Sequence, residues 1–101
     1  MAKDYHKPVM LKECIEALAI KPDGVYVDLT FGGGGHTRAI LEQIENGHLY
    51  GFDQDVDAKA NAEEIEKSSF TFVEANFRFL KRYLKMYGVT QVDGILGDLG
   101  I

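Results

Sequence analysis

The chain has no tryptophan, one cysteine and two prolines among its 101 residues. The lone cysteine, Cys14, cannot close an internal disulfide, so a reducing compartment is the default. No stretch approaches the roughly 18 apolar residues of a membrane-spanning helix, and no signal-peptide pattern opens the chain. The sequence therefore reads as cytoplasmic. Bases are also scarce: 11 Lys and Arg stand against 16 Asp and Glu, for a formal charge of −5. Phosphate affinity needs a cationic surface, so non-specific nucleic-acid binding by this chain alone is not expected. A nucleic-acid substrate stays open if basic surface comes from elsewhere. His6, His36 and His48 show no ligand spacing with Cys14 or with one another, and no metal site is expected.

What is present has the balance of an ordinary globular chain, with 46% hydrophobic and 27% charged residues. The length fits one small domain or a piece of a larger one. There are no internal repeats, low-complexity tracts or linkers. The first ten residues, around Pro8, are expected to run irregularly or extended. Helical spacing appears in LKECIEALA (11–19), with Leu11, Ile15 and Leu18 on one side. After the PDG turn (22–24), short apolar runs alternate with helical ones. Strands are expected at 25–29, 49–52, 70–74 and about 92–96, and helices at 37–46, 57–67 and 78–87, with Gly47 and Gly88 as closing residues. Such alternation implies a parallel sheet wrapped by right-handed crossovers, an α/β, Rossmann-like doubly wound fold. The chain stops after the fourth strand, which would leave that strand's edge open. An open apolar edge invites pairing between copies, and the chain is expected to be a fragment.

The run YVDLTFGGGGHT (26–37) sets four glycines, Gly32 to Gly35, between the first strand and its helix. Ligands of parallel α/β sheets sit at that end of the strands. Bare backbone allows close approach, and a helix start offers unpaired N–H groups. A tight turn alone would need only one or two glycines. A P-loop is excluded, because His36 and Thr37 follow where Lys and Ser/Thr are required. The dinucleotide fingerprint matches Gly32 and Gly34, but Thr37 stands in the third glycine's place, and in the shifted register Arg38 does. An S-adenosylmethionine site is the third reading. That ligand carries a sulfonium and an amino group, which favour a nearby carboxylate, and Asp28 precedes the loop. One such pair at about 4 Å is worth roughly 4 kcal/mol before desolvation. The ligand-facing role is the expectation for Asp28, and a strand-end residue capping local N–H groups is the alternative.

Three further positions lie at strand ends. Asp53, in FDQD (52–55), is placed to accept hydrogen bonds from ribose hydroxyls, a signal shared with NAD sites. Asp55 and Asp57 read as caps of the next helix. Phe77, in EANF (74–77), can lie against an adenine or lead the next helix as a core aromatic, with Asn76 beside it. Asp98, in GDLG (97–100), sits at the mouth of the switch point, where chemistry would occur. His36 falls at the glycine loop's mouth. KRYLK (81–85) reads as a solvated basic face with Tyr83 or Leu84 inward. A nicotinamide-dependent oxidoreductase and a non-catalytic nucleoside-binding fragment remain the alternatives to a methyltransferase.

Together, YHKPVMLKE (5–13), PDGVYVDLTFGGGGHTRAIL (22–41), FDQD, the NF pair at 76–77 and VDGILGDLG (92–100) resemble the bacterial small-subunit ribosomal RNA cytosine-N4-methyltransferases. The resemblance runs through essentially the whole chain. It implies a class I methyltransferase fold, S-adenosyl-L-methionine as cofactor, and a cytosine of the ribosomal decoding centre as target. The family's cofactor contacts would fall on Gly34, Gly35, His36, Asp53, Phe77 and Asp98. The family pattern continues past Ile101 with a serine pair, a cofactor-contacting glutamine, a substrate-recognition insertion and further strands. The chain is thus expected to be the amino-terminal, cofactor-binding third. Gly97 stands where many members carry a bulkier residue. In the implied reaction the cytosine N4 attacks the sulfonium methyl in line. Its lone pair is delocalised, so an acceptor near N4 is needed, and Asp98 is the candidate: ionised at neutral pH, a good acceptor and a weak base. The target base must leave its stack to reach the pocket.

Overall fold

The computed structural model describes residues 11–97 except Thr30 and Gly33. The expected irregular start of the chain, Gly33 and Asp98 lie outside the described residues. Elements follow in the order α1 (Leu11–Leu18), β1 (Val25–Asp28), α2 (Gly35–Leu41), β2 (His48–Asp53), α3 (Val56–Glu63), β3 (Phe70–Glu74), a 3-10 turn (Phe77–Phe79), α4 (Leu80–Met86) and β4 (Gly94–Leu96). The alternation read from the sequence is borne out.

All strand pairs are parallel, in the order β3-β2-β1-β4. Strands β1 to β3 step outward one way, and β4 returns to the other side of β1. The winding reverses between β1 and β4, which makes their carboxyl ends the topological switch point. Val27 lies opposite Tyr50 on one side and Ile95 on the other.

Successive strand residues face opposite sides of the sheet, so Tyr26 and Val27 seed two different cores. Tyr26 packs with Ile15, Ile40, Leu41, Ile44 and Leu49 beneath α1 and α2. Val27 packs with Tyr50, Phe52 and Val73, and Leu80, Tyr83 and Leu84 of α4 close over them. A smaller cluster of Phe31, Ala58 and Ala62 joins the glycine loop to α3. Fully burying one large apolar side chain is worth about 1.5–3 kcal/mol, so both faces of the sheet are held.

Several boundaries differ from expectation for local reasons. α2 ends at Leu41, because the N–H groups of Glu45, Asn46 and Gly47 turn back onto the Pro22 carbonyl at 2.7, 3.1 and 3.0 Å. Gly47 is therefore no helix cap; it is a point of close approach, where a Cβ would overlap the Gly24 carbonyl oxygen. α3 stops at Glu63, as i→i−3 bonds from Glu64 and Ile65 tighten its last turn and Ile65 turns into the core. Asp55 caps its start by accepting from Asp57 N at 2.9 Å. The Asn76 side chain accepts from Arg78 N at 2.9 Å and sets up the 3-10 turn before α4. Gly88 closes α4 as expected, with Gly88 N to Lys85 O at 3.0 Å and Val89 N to Leu84 O at 2.8 Å, the paired bonds of a Schellman motif. β4 is short, because the first rung beside Val25 uses the Asp93 side chain, which accepts from Val25 N at 2.8 Å. Among the described residues nothing pairs with β4's outer edge, and Ile95 on that strand is 46% exposed. Among the same residues no helix is long and apolar enough to cross a membrane.

Candidate functional site

The glycine loop is tied down by groups from two neighbouring elements. Gly32 N–H donates to Asp53 Oδ2 at 3.1 Å, and Asn61 Nδ2 of α3 donates to the Gly32 carbonyl at 3.2 Å. The other Asp53 oxygen, Oδ1, accepts from Asp55 N at 2.9 Å. Gly34 N closes a turn on Phe31 O, and the Gly34 carbonyl accepts from Arg38 N at 2.9 Å to start α2. One carboxylate at the end of β2 thus holds the loop after β1 and the entrance to α3 in register.

The described glycines of the loop do not share one purpose. Gly32 and Gly34 have φ of 47° and 88°, a left-handed backbone that a side chain disfavours. The protein's own geometry accounts for both. Gly35 has no positive φ, and nothing lies within 4 Å of where its Cβ would stand. The fold itself gives no reason for a glycine there. His36 follows it, half-buried on the first turn of α2.

Asp28 departs from the expectation that its carboxylate faces a ligand. It is fully buried, and its Oδ2 accepts from Thr37 Oγ1 at 2.7 Å. The pair clamps the end of β1 to α2. Thr37 stands where the dinucleotide fingerprint has its third glycine, so a buried hydrogen bond replaces the bare helix–strand contact of that motif. Among the described residues no buried side-chain nitrogen or oxygen lacks a partner.

Beside the loop, a cleft of about 140 Å³ opens at the carboxyl ends of three strands. Leu29 after β1, Phe52, Asp53 and Gln54 at the end of β2, and Ala75, Asn76 and Phe77 after β3 line it. Phe77 is 55% exposed and belongs to none of the core clusters, so it is not a core aromatic. The structure brings Asp53 and Phe77 together in this cleft and ties Asp53 to Gly32. Leu29 and Gln54 join them in the cleft without having been singled out, while Thr37 and Asn61 hold the loop from outside it. Thr37 had signalled itself only as a mismatch to a glycine motif, and Asn61 only as a polar residue in a helix.

Three groups outside the cleft have shifted ionisation. Burial lowers the pKa of His48 at the amino end of β2 and, with Tyr87 nearby, raises that of Tyr50. The Val25 N–H and the Lys21 ammonium lower that of Asp93. Among the described residues no three His, Cys, Asp or Glu gather to hold a metal.

A parallel β3-β2-β1-β4 sheet with its loop and cleft at one edge defines a Rossmann-like α/β protein, and solved methyltransferases share the fold. Coclaurine N-methyltransferase bound to N-methylheliamine and SAH superposes with a TM-score of 0.60 at 21% identity, over 67% of this chain and 21% of that one. A chain from the Haloferax volcanii Trm112 methyltransferase-activator complex gives 0.61 at 20% identity, over 74% of this chain and 34% of its own. The chain belongs to the MraW methylase family, whose model matches residues 3–101. It is 58% identical over 97 residues to the ribosomal RNA small subunit methyltransferase H of Cytophaga hutchinsonii, covering 96% of this chain and 33% of that protein. The protein of the same name from Porphyromonas gingivalis is 59% identical over 98 residues, covering 96% and 31%. The chain therefore spans about a third of the length of these curated relatives.

Proposed function

We propose that this chain is the cofactor-binding part of an S-adenosylmethionine-dependent methyltransferase that methylates the N4 amine of a cytosine in small-subunit ribosomal RNA. The observation that carries the reading is the link between Asp53 and the glycine loop. One carboxylate holds Gly32 and also lines a cleft shared with Phe77. The cleft's roughly 140 Å³ falls below the ~300–1,000 Å³ of a whole ligand pocket, so it suits the nucleoside end of a larger ligand. The open space at Gly35 suits close backbone approach by the rest.

The residues present fit this cofactor. Asp53 accepts from ribose hydroxyls, Phe77 covers an adenine face, and Gly34, Gly35 and His36 border the ribose and methionine portions. Asp28 acts one step back, holding Thr37 and hence the start of α2. When bound, the cofactor supplies an electrophilic methyl group. Asp98, two residues beyond β4, accepts from the target amine and localises its lone pair for attack. Holding the partners aligned contributes on the order of 7–11 kcal/mol at best. The nicotinamide reading loses ground at Thr37, because a hydrogen-bonded threonine fills the place of the third glycine.

The first four strands make up the cofactor-binding part. The remaining strands and the RNA-recognition segment belong to the further length that the relatives have. The partner is small-subunit ribosomal RNA or the assembled subunit, encountered in the cytoplasm. The open edge of β4 is a surface for self-association of this chain. Transfer of labelled methyl groups to small-subunit RNA, by the chain extended to its relatives' length, tests the reading. Asp53→Ala should cut cofactor affinity, and Asp98→Ala should cut transfer more than affinity. Equal losses of both would remove the role assigned to Asp98, and no N4-methylcytosine would sink the substrate.

A further inference from the structure

Residues 75–92 hold four of the chain's eleven bases and none of its sixteen acids. Arg78, Lys81, Arg82 and Lys85 recur at i, i+3, i+4 and i+7, so they run along one side of the 3-10 turn and α4. All four are exposed, while Leu80, Tyr83 and Leu84 pack against the sheet. An ordinary solvated face accounts for that much.

Two observations go further. Among the described side chains elsewhere, three of the four exposed bases are paired: Lys21 with Asp93 at 3.3 Å, Arg38 with Glu64 at 3.8 Å and Lys59 with Glu74 at 3.4 Å, Lys67 being the exception. None of the four along α4 is in an ion pair with a described residue. The guanidinium carbons of Arg78 and Arg82 also lie 5.2 and 5.5 Å from the ring centroid of Phe79, which is itself 38% exposed. The ring holds two planar cations at the surface, with two more charges one helical turn away.

We propose that Arg78, Phe79, Lys81, Arg82 and Lys85 form a docking surface for single-stranded RNA. Its phosphates lie on the four cations, and an unstacked base lies against the Phe79–arginine group. An acidic protein segment would satisfy the charges but leave the flat group unused. The surface starts one residue after Phe77, so it borders the cleft. The choice of RNA among polyanions rests on the function proposed above; the array rests on its own geometry.

Fluorescence anisotropy of this chain with a labelled single-stranded RNA of about twelve nucleotides, across a salt series, tests it. Four phosphate contacts at about 0.7 each give a slope of log affinity on log salt near −2.8. Arg78→Ala with Arg82→Ala should bring the slope to about −1.4 and weaken binding at least tenfold at about 50 mM salt. Phe79→Leu keeps the charges and should weaken binding about fivefold with the slope unchanged. Lys67→Ala, an exposed lysine off this face, is the control and should have little effect. S-adenosylmethionine titrations of the same variants should match the parent, because none of these residues lines the cleft; a failed cofactor reading would show there independently. No RNA binding, binding indifferent to the double variant, an equal loss in Lys67→Ala, or a preference for an acidic peptide would each overturn the proposal.

Discussion

Gly34 and Gly35 are neighbours, yet an alanine at each should act in opposite directions. At Gly34 the backbone has φ of 88°, and a Cβ would stand 3.2 Å from Arg38 Nη1 and 3.5 Å from Phe31 Cζ. A side chain in that left-handed conformation costs about 1–2 kcal/mol before any contact is counted. At Gly35 nothing lies within 4 Å of the added atom. Alanine there restricts the unfolded chain and should stabilise by about 0.4–1 kcal/mol. In a domain this small, 1 kcal/mol moves Tm by about 4–8 °C. Gly34→Ala should therefore melt about 4–16 °C lower, and Gly35→Ala about 2–8 °C higher, by circular dichroism. Calorimetric titration with S-adenosylmethionine then decides what the fourth glycine is for. If bare backbone lies against the ligand, the more stable Gly35→Ala should bind at least tenfold more weakly, a loss of about 1.4 kcal/mol. A Gly35→Ala protein with both higher Tm and unchanged affinity would refute the reasoning.

The clamp between β1 and α2 gives a second expectation: Thr37→Val removes one donor to buried Asp28 and should cost about 1.5–3 kcal/mol in urea denaturation. A change within a few tenths of a kcal/mol would show the clamp to be incidental. Gly47→Ala forces a methyl group onto the Gly24 carbonyl and should destabilise by about 1–3 kcal/mol or more, again read by urea midpoint. Burial lowers the pKa of His48, so the unfolded chain takes up that proton first as pH falls. Its contribution is complete above the unfolded value of 6.5 and shrinks as pH drops from there towards the folded value. The urea midpoint of His48→Gln should therefore depend less on pH between about 7.5 and 5.5 than the parent's; an equal dependence would assign it to other groups.

The order of elements was legible because strand and helix periods differ and each apolar run is short. Helix ends were less so. The 41–47 segment looked helical by spacing, but three of its N–H groups turn to the Pro22 carbonyl, a partner some twenty residues away. Asp53 was readable from its distance to the glycines, and Phe77 from its place after a strand. The Asp53 bond to Gly32 and the Asp28 bond to Thr37 were not, since both depend on how loops cross the sheet edge. Asp28 shows the limit most clearly: the same position serves a ligand-facing carboxylate or a buried clamp, and only burial distinguishes them. Asp98 stays a reading of motif and position, because it lies outside the described residues.

The most direct test of the central claim is calorimetric titration of this chain with S-adenosylmethionine, alongside NAD and Asp53→Ala, after circular dichroism has shown that the chain folds. The account predicts binding of S-adenosylmethionine, no binding of NAD, and loss of the signal in Asp53→Ala. A folded chain that prefers NAD, or that binds S-adenosylmethionine equally well without the Asp53 carboxylate, would contradict it.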